Sequence, residues 1–237
     1  MTQRRQADFY APFRFDVFAL RKPRGVMRRL LSREGIGVSL VVLAVAALLL
    51  AWAAPNDVTL AGTSKVVYIH GAWVWTSMLT LTAAGVLGLA ALAATFIKRN
   101  NVMHAWVLAL GRTGLLFWAA YIPVSMLASQ MAWNDVFLAE PRYTTSFRVL
   151  AIGVIVQMII LLVNRPVISS ALHVAQAVIV WALLLTTPSI SHPDNPILRS
   201  VPSIQFFFGL IVLACGVAAL QVARLMSGLA QSARIPE

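Results

Sequence analysis

Between Lys65 and Lys98 the sequence reads VVYIHGAWVWTSMLTLTAAGVLGLAALAATFI, which is 32 residues without a charged side chain. A helix needs about 20 apolar residues to cross the hydrocarbon core of a bilayer. The segment therefore predicts a membrane-spanning helix that is longer than the membrane requires. We expect this helix to tilt, to kink near Gly71 or to project beyond the bilayer at one end.

The composition of the whole chain agrees with a membrane protein. Of its 237 residues, 59% are hydrophobic and 11% are charged, whereas soluble domains carry about 25% charged residues. Five further apolar runs are long enough to span a bilayer. We predict an all-α polytopic membrane protein, with an interfacial arm at residues 1–36, a six-helix transmembrane domain at residues 37–226 and a tail at residues 227–237. The six predicted spans are residues 37–54, 66–97, 113–131, 146–163, 167–186 and 204–225.

The positive charge is concentrated at the N-terminus. The net charge is +11, and nine of the 19 Lys and Arg residues lie in the first 33 positions. Basic residues mixed with Phe and Leu suit a segment that lies on a membrane surface and contacts anionic lipid. The distribution therefore favours membrane lipid over nucleic acid as the partner of this arm. The single cysteine, Cys215, excludes disulfide exchange by this chain alone.

The loops predict an orientation. Most basic residues fall in the arm, the tail and the turns at 98–101 and 164–166, which lie on one side of the predicted membrane. The longer loops at 55–65, 130–145 and 187–203 lie on the other side and contain four of the eight acidic residues. The positive-inside rule then predicts that both termini are cytoplasmic. We expect a multi-pass protein of the cytoplasmic (inner) membrane.

Four histidines can be placed on this topology. His70 lies near the outer end of the second span, and His192 lies in the outer loop between spans five and six. His104 and His173 begin spans three and five at the inner face. Two imidazoles on the same side of the membrane can bind haem iron from opposite faces of the porphyrin. The outer pair, His70 and His192, is therefore a candidate set of axial ligands.

Aromatic and basic residues accompany the outer pair. Tyr68, Trp73, Trp133 and Phe137 could supply the flat apolar surface that a porphyrin requires, and Arg142 could pair with its propionates. Trp and Tyr also belong to the interfacial belt of any membrane protein, and a histidine at an interface is often only hydrated. The spacing of these residues and their side of the membrane agree with a haem site and equally with an ordinary membrane interface.

The motif around His70 resembles a known family. Val67-Tyr-Ile-His-Gly-Ala-Trp73 is similar to the region that opens the second span of haem exporter protein C (CcmC), a member of the CcmC–CcsA family of cytochrome c maturation. Glu140-Pro-Arg-Tyr-Thr144 stands where the family has Asp-x-Arg-Leu-Thr, and His192-Pro-Asp-Asn-Pro196 stands where it has a second histidine. The similarity extends from about Pro55 to Arg224 and includes the six-span topology.

The resemblance implies a haem-handling protein of cytochrome c biogenesis. Such a protein binds haem b transiently at the outer face between two axial histidines, and hands it to a haem chaperone there. An ABC-type transporter complex is a further implied partner. The family has several tryptophans in its outer segment where this chain has only Trp133, with Val136, Phe137 and Ala139 in place of the others. The expected cofactor-binding residues are His70, His192, Tyr68, Trp73, Trp133, Phe137 and Arg142.

Two other functions remain open on the sequence. A b-type transmembrane cytochrome would use the outer pair for one haem, and His104 with His173 for a second. A structural or assembly subunit of a larger membrane complex would bind no haem. We expect no enzymatic activity, because the sequence contains no Ser-His-Asp set, phosphate-binding loop or cluster of metal-binding carboxylates.

Polar and small residues within the spans have simpler interpretations. We expect Arg112 to extend toward the inner interface and His104 and His173 to be ordinary residues of that interface. Gln157 and Gln176 are expected to form hydrogen bonds between helices, and Gly85-Val-Leu-Gly88 to allow close helix packing.

Overall fold

The fold is a bundle of six long helices. A computed structural model describes residues 32–97, 101–188, 197 and 199–232, and no β-strand occurs among them. A short 3-10 turn at Ala61–Thr63 precedes the second helix. The helices are α1 Arg33–Ala53, α2 Ser64–Ile97, α3 Asn101–Trp133, α4 Pro141–Val163, α5 Pro166–Thr186 and α6 Pro202–Ser232.

All six helices are long and apolar enough to cross a membrane. This confirms the predicted all-α fold and the predicted number of spans. Several helices extend beyond the predicted spans, because backbone hydrogen bonding continues past the edge of an apolar run. Helix α1 begins inside the predicted arm, where the Ser32 hydroxyl accepts a hydrogen bond from the Gly35 amide at 3.1 Å. The first 31 residues of the arm lie outside the described residues.

Helix α2 lies at the centre of the bundle. It packs against α3, α5 and α6 and touches α1, whereas α1 packs mainly on α6, and α4 packs on α5 and α3. With 34 residues, α2 is about 51 Å long at 1.5 Å per residue, well beyond the roughly 30 Å hydrocarbon core. The helix is continuous through Gly71.

Consecutive helices run in opposite directions, so the connections lie at two ends. We call the end that carries the α1–α2, α3–α4 and α5–α6 connections the long-loop end. The other, which carries the α2–α3 and α4–α5 connections, is the short-loop end. The described part of the α4–α5 connection is only Asn164 and Arg165.

Small residues allow α2 and α5 to approach closely. A Cβ added at Gly85 would lie 2.5 Å from the Ala177 Cβ, and one at Gly88 would lie 2.9 Å from the Val174 Cγ2. Neither position has room for a methyl group. The prediction that Gly85 and Gly88 serve helix packing is therefore confirmed.

Candidate functional site

His70 lies two turns into α2, near the long-loop end, and is partly buried. Its ring centroid is 5.6 Å from that of Tyr121, with the planes inclined by 58°. The Nδ1 atom is buried and has no hydrogen-bond partner in the part of the chain that the structure describes. A buried imidazole nitrogen without a partner is costly, and it can accept or donate a bond to a bound group.

Tyr121, the aromatic neighbour of His70, is held in place by a hydrogen-bond network between α3 and α4. The Tyr121 hydroxyl donates to the Ser146 hydroxyl, which donates to the Arg142 carbonyl at 2.7 Å. The indole of Trp118 donates to the Ser146 carbonyl at 3.0 Å, and its ring packs edge-on against Tyr121 at 4.9 Å. All polar groups of this network are paired, so the Tyr121 ring is in a fixed place beside His70.

Arg142 is the charged residue of this region. Its Nε donates to the Glu140 carboxylate at 2.9 Å, and the two side chains form the one ion pair found among the described residues. About 28% of the Arg142 side chain and 30% of the Glu140 side chain are exposed. Arg142 is linked through Ser146 to Tyr121, the ring beside His70, and its guanidinium has a carboxylate partner.

Trp73 and Tyr68 differ in their surroundings, although both belong to the His70 motif. Trp73 is one turn after His70 and packs edge-on against Phe117, with ring centroids 6.3 Å apart. Tyr68 is fully buried in the core formed with α1 and α6, and its hydroxyl donates to the Pro55 carbonyl at 2.8 Å. Residues that are two positions apart are separated by about 200° around a helix. Tyr68 is therefore on the opposite side of α2 from His70 and has a packing role.

Trp133 and Phe137 form an exposed apolar surface at the long-loop end. Trp133 is the last residue of α3 and is 50% exposed, and Phe137 in the following connection is 47% exposed. Leu138 beside it is also half exposed. Asn134 ends the helix in a left-handed conformation, with φ 56°. Both aromatic side chains are therefore accessible at this end of the bundle.

Hydrogen bonds tie the connection before α2 to the connection before α6, and the first turn of α2 to the end of α1. The Asp57 carboxylate accepts hydrogen bonds from the amides of Thr59 at 2.9 Å and Leu60 at 3.3 Å, and from the Ser200 hydroxyl at 3.1 Å. Hydrogen bonds, above all from the Thr59 hydroxyl, hold the pKa of Asp57 below its usual 3.8. The Lys65 ammonium donates to the carbonyls of Trp52 and Ala54 at the end of α1. These bonds fix the start of the helix that carries His70.

His104 and His173, which the sequence suggested to be ordinary residues of the inner interface, are buried. The His104 ring nitrogens contact the hydroxyls of Ser170 at 2.7 Å and Thr95 at 3.2 Å. The His173 Nδ1 bonds its own helix, and its Nε2 lies 3.2 Å from the Gln157 amide nitrogen. All four ring nitrogens therefore have protein partners. Neither imidazole offers a free nitrogen to a second haem.

The structure places the described residues of the predicted site in different surroundings. Arg142 is linked to the ring beside His70 through Ser146 and Tyr121, Trp73 packs edge-on against Phe117, and His192 lies outside the described residues. Tyr121 and Ser146 were missed by the sequence reasoning, because only the pairing of α3 with α4 brings them to His70. The described residues contain no cluster of three or more His, Cys, Asp or Glu side chains that could hold a metal ion.

Comparison of the chain with models of known protein families and with curated proteins finds no match.

Proposed function

We propose that this protein binds haem at its long-loop end, with His70 as an axial ligand of the iron. The observation that carries the proposal is the buried Nδ1 of His70, which lacks a hydrogen-bond partner among the described residues. Neutral imidazole is a common ligand of haem iron. A ligand at this position would satisfy a ring whose burial is otherwise unfavourable.

The residues around His70 suit the remaining parts of a haem. A porphyrin is flat and apolar, and its propionates are anionic. Trp133 and Phe137 offer exposed aromatic surface at the same end of the bundle, and Arg142 offers a planar cation. Glu140, which pairs with Arg142, would have to share that cation with a propionate. His192 is the proposed second ligand by the resemblance noted above.

Haem, when bound, would supply an iron that the imidazole of His70 would hold. This chain's residues would bind and orient it: His70 through nitrogen, Arg142 through charge and the aromatic surface through contact with the ring. No residue is required to act as an acid, base or nucleophile. We therefore propose carriage and handover of haem b rather than catalysis.

The wider proposal is a role in cytochrome c biogenesis. The long-loop end would face outward from the cytoplasmic membrane, with both termini in the cytoplasm. A haem chaperone at the outer face would receive the haem, an ABC-type transporter complex would be a partner, and the basic arm would contact anionic lipid. This chain has one tryptophan, Trp133, where the family that it resembles has several. The apolar contact with haem would therefore depend more on Phe137 and Leu138.

Haem stoichiometry of the purified full-length protein tests the proposal. We expect one haem per chain in the unaltered protein and a large loss of haem in His70→Ala and His192→Ala. His104→Gln is the control, because glutamine can keep hydrogen bonds to Ser170 and Thr95 at a site far from His70. The proposal fails if the His70→Ala, His192→Ala double variant keeps its haem absorption at full occupancy.

The same measurement separates the other functions. Two haems per chain, one of them lost in His104 and His173 variants, would indicate a b-type cytochrome. Purification without pigment, together with a stably bound partner, would indicate a structural subunit.

A further inference from the structure

A second polar site lies between α3, α4 and α5, away from His70. The Arg112 Nε donates to the Gln157 amide oxygen at 3.3 Å, and the Gln157 amide nitrogen lies 3.2 Å from the His173 Nε2. The His173 Nδ1 donates to the Ser169 carbonyl at 2.7 Å. This assigns a proton to Nδ1, so Nε2 accepts from Gln157. The chain of bonds turns the Gln157 oxygen toward Arg112.

Two glycines leave room for these polar groups. A Cβ at Gly111 would overlap the imidazole of His173. A Cβ at Gly153 would overlap Leu115 and would lie 3.2 Å from the Gln176 amide nitrogen. Gln176 is one turn further along α5 than His173. Side chains from α3, α4 and α5 therefore place a guanidinium, an imidazole and two amides in this part of the bundle.

The Gln176 amide and the Arg112 guanidinium lack the partners that a buried polar or charged group needs. Gln176 is 1% exposed, and neither its amide oxygen nor its amide nitrogen has a partner in the described part of the chain. Arg112 lies in a membrane-spanning helix, and the one ion pair among the described residues does not include it. The acidic residues within the described ranges lie in the first turn of α1 or in the long-loop connections, namely Glu34, Asp57, Asp135 and Glu140.

An uncompensated arginine and an unpaired amide inside a membrane protein are both unfavourable. One kind of ligand would satisfy both. Nε of Arg112 is already used by Gln157, which leaves the two terminal nitrogens of the guanidinium to donate to an oxyanion. The Gln176 amide group can donate to the same anion or to a second oxygen of the ligand.

We propose that Arg112, Gln157 and Gln176 form a binding site for a phosphate group, with Gln157 orienting the guanidinium. Gln157 lies six residues before the end of α4, Gln176 lies ten residues after the start of α5, and Arg112 lies eleven residues after the start of α3. At 1.5 Å per residue, these backbone positions are about 9, 15 and 17 Å along their helices from the short-loop end. The headgroup of an anionic lipid at that end and free phosphate are the two sources of such a group.

Thermal unfolding of the purified full-length protein in a neutral detergent tests this site. The probes are phosphatidylglycerol, phosphatidylcholine as the zwitterionic comparison, and sodium phosphate against sodium chloride at equal ionic strength. We expect phosphatidylglycerol to raise the unfolding temperature of the unaltered protein in a saturable way. In Arg112→Gln the half-saturating concentration should rise about tenfold or more, as expected for loss of a charged hydrogen bond.

Two further variants distinguish the site from general surface charge. Arg165→Gln removes an exposed arginine at the same end and should leave the response to phosphatidylglycerol unchanged. Gln176→Leu keeps every charge and should weaken it. If Arg112→Gln does not fold, Gln176→Leu and Arg112→Lys are measured in its place, because both variants retain the positive charge at position 112.

Each outcome is decisive. Stabilisation by sodium phosphate alone, lost in the Arg112 and Gln176 variants, would support a site for the free anion. Selective stabilisation by phosphatidylglycerol would support a lipid headgroup. The proposal is overturned if neither probe stabilises the protein. It is also overturned if the response to phosphatidylglycerol falls as much in the Arg165 variant as in the Gln176 variant.

Discussion

The imidazole of His70 on α2 is held 5.6 Å from the phenol ring of Tyr121 on α3. Tyr121 is hydrogen-bonded in turn to Ser146 on α4. A single aromatic residue thus links the candidate ligand to two other helices. Any change in the packing of α3 on α4 will be transmitted to the surroundings of His70.

Tyr121→Phe should weaken this link. The variant keeps the ring but removes the hydroxyl that donates to Ser146, and a buried hydrogen bond contributes about 1 kcal/mol to stability. We expect a loss of that size in thermal unfolding and a lower haem occupancy. Tyr143→Phe is the control, because the Tyr143 hydroxyl accepts only one long hydrogen bond, from Ser125 at 3.4 Å. Equal stability and occupancy in Tyr121→Phe and the unaltered protein would contradict the assigned role.

Gly111→Ala should destabilise the fold strongly. The added methyl group would overlap the His173 ring, and overpacking of a tight interior costs about 1–3 kcal/mol. Gly209→Ala on α6 is the matched control, since nothing lies within 4 Å of a Cβ there. That change should be neutral or stabilising by up to about 1 kcal/mol. Unfolding temperatures of the two variants, measured together, check the prediction, which fails if they shift alike.

Asp57 should make a pH-dependent contribution to stability. Its folded-state pKa lies below the usual 3.8 because of the hydrogen bonds from Thr59, Leu60 and Ser200. The carboxylate therefore stabilises the fold above pH 4 or so, and the contribution is lost as pH falls through the folded-state pKa. Since Asp57 is only partly buried, the effect will be small.

Asp57→Asn tests this directly. The variant should be less stable than the unaltered protein at pH 7 and 5, and the difference should shrink below about pH 4. Asp135→Asn, which removes a charge from another connection at the same end, is the control. A difference that stays constant or grows on acidification would count against the proposed bonds.

Lys65→Met should loosen the end of α1. The ammonium binds the carbonyls of Trp52 and Ala54, which have no further partner in their own helix. Hydrogen exchange of the Ala54 amide, which donates to the Leu50 carbonyl at 2.9 Å, should accelerate about fivefold to tenfold for a loss of about 1 kcal/mol. Lys65→Arg can keep these bonds and should exchange near the original rate. Unchanged exchange in Lys65→Met would show that the cap has no stabilising effect.

The number of spans and the helical class could be predicted from the sequence because they depend on local apolar length. A bilayer demands about 20 apolar residues per crossing, and six such runs are present. The role of Gly85 and Gly88 was also predictable, since small residues at this spacing share one helix face. Helix ends were less predictable. Helical hydrogen bonds extend α3 and α6 beyond their apolar runs into polar sequence.

The site itself was only partly predictable. His70 is distinguished by its sequence neighbours, and so it could be named in advance. His104 and His173 looked interfacial because they follow polar stretches, yet both are buried. Their partners, Ser170, Thr95 and Gln157, lie on other helices or distant turns, where sequence spacing gives no warning.

The sequence by itself determined that the described residues form six long helices, that His70 lies near the long-loop end, and that the N-terminus is basic. Each of these follows from local composition. Only the tertiary structure decided that Tyr121 adjoins His70 while Tyr68 faces α1 and α6. When a helix is apolar on nearly every side, its sequence gives little information about which side faces each neighbouring helix. Which side chains meet is therefore decided by close packing and by the pairing of a few buried polar groups.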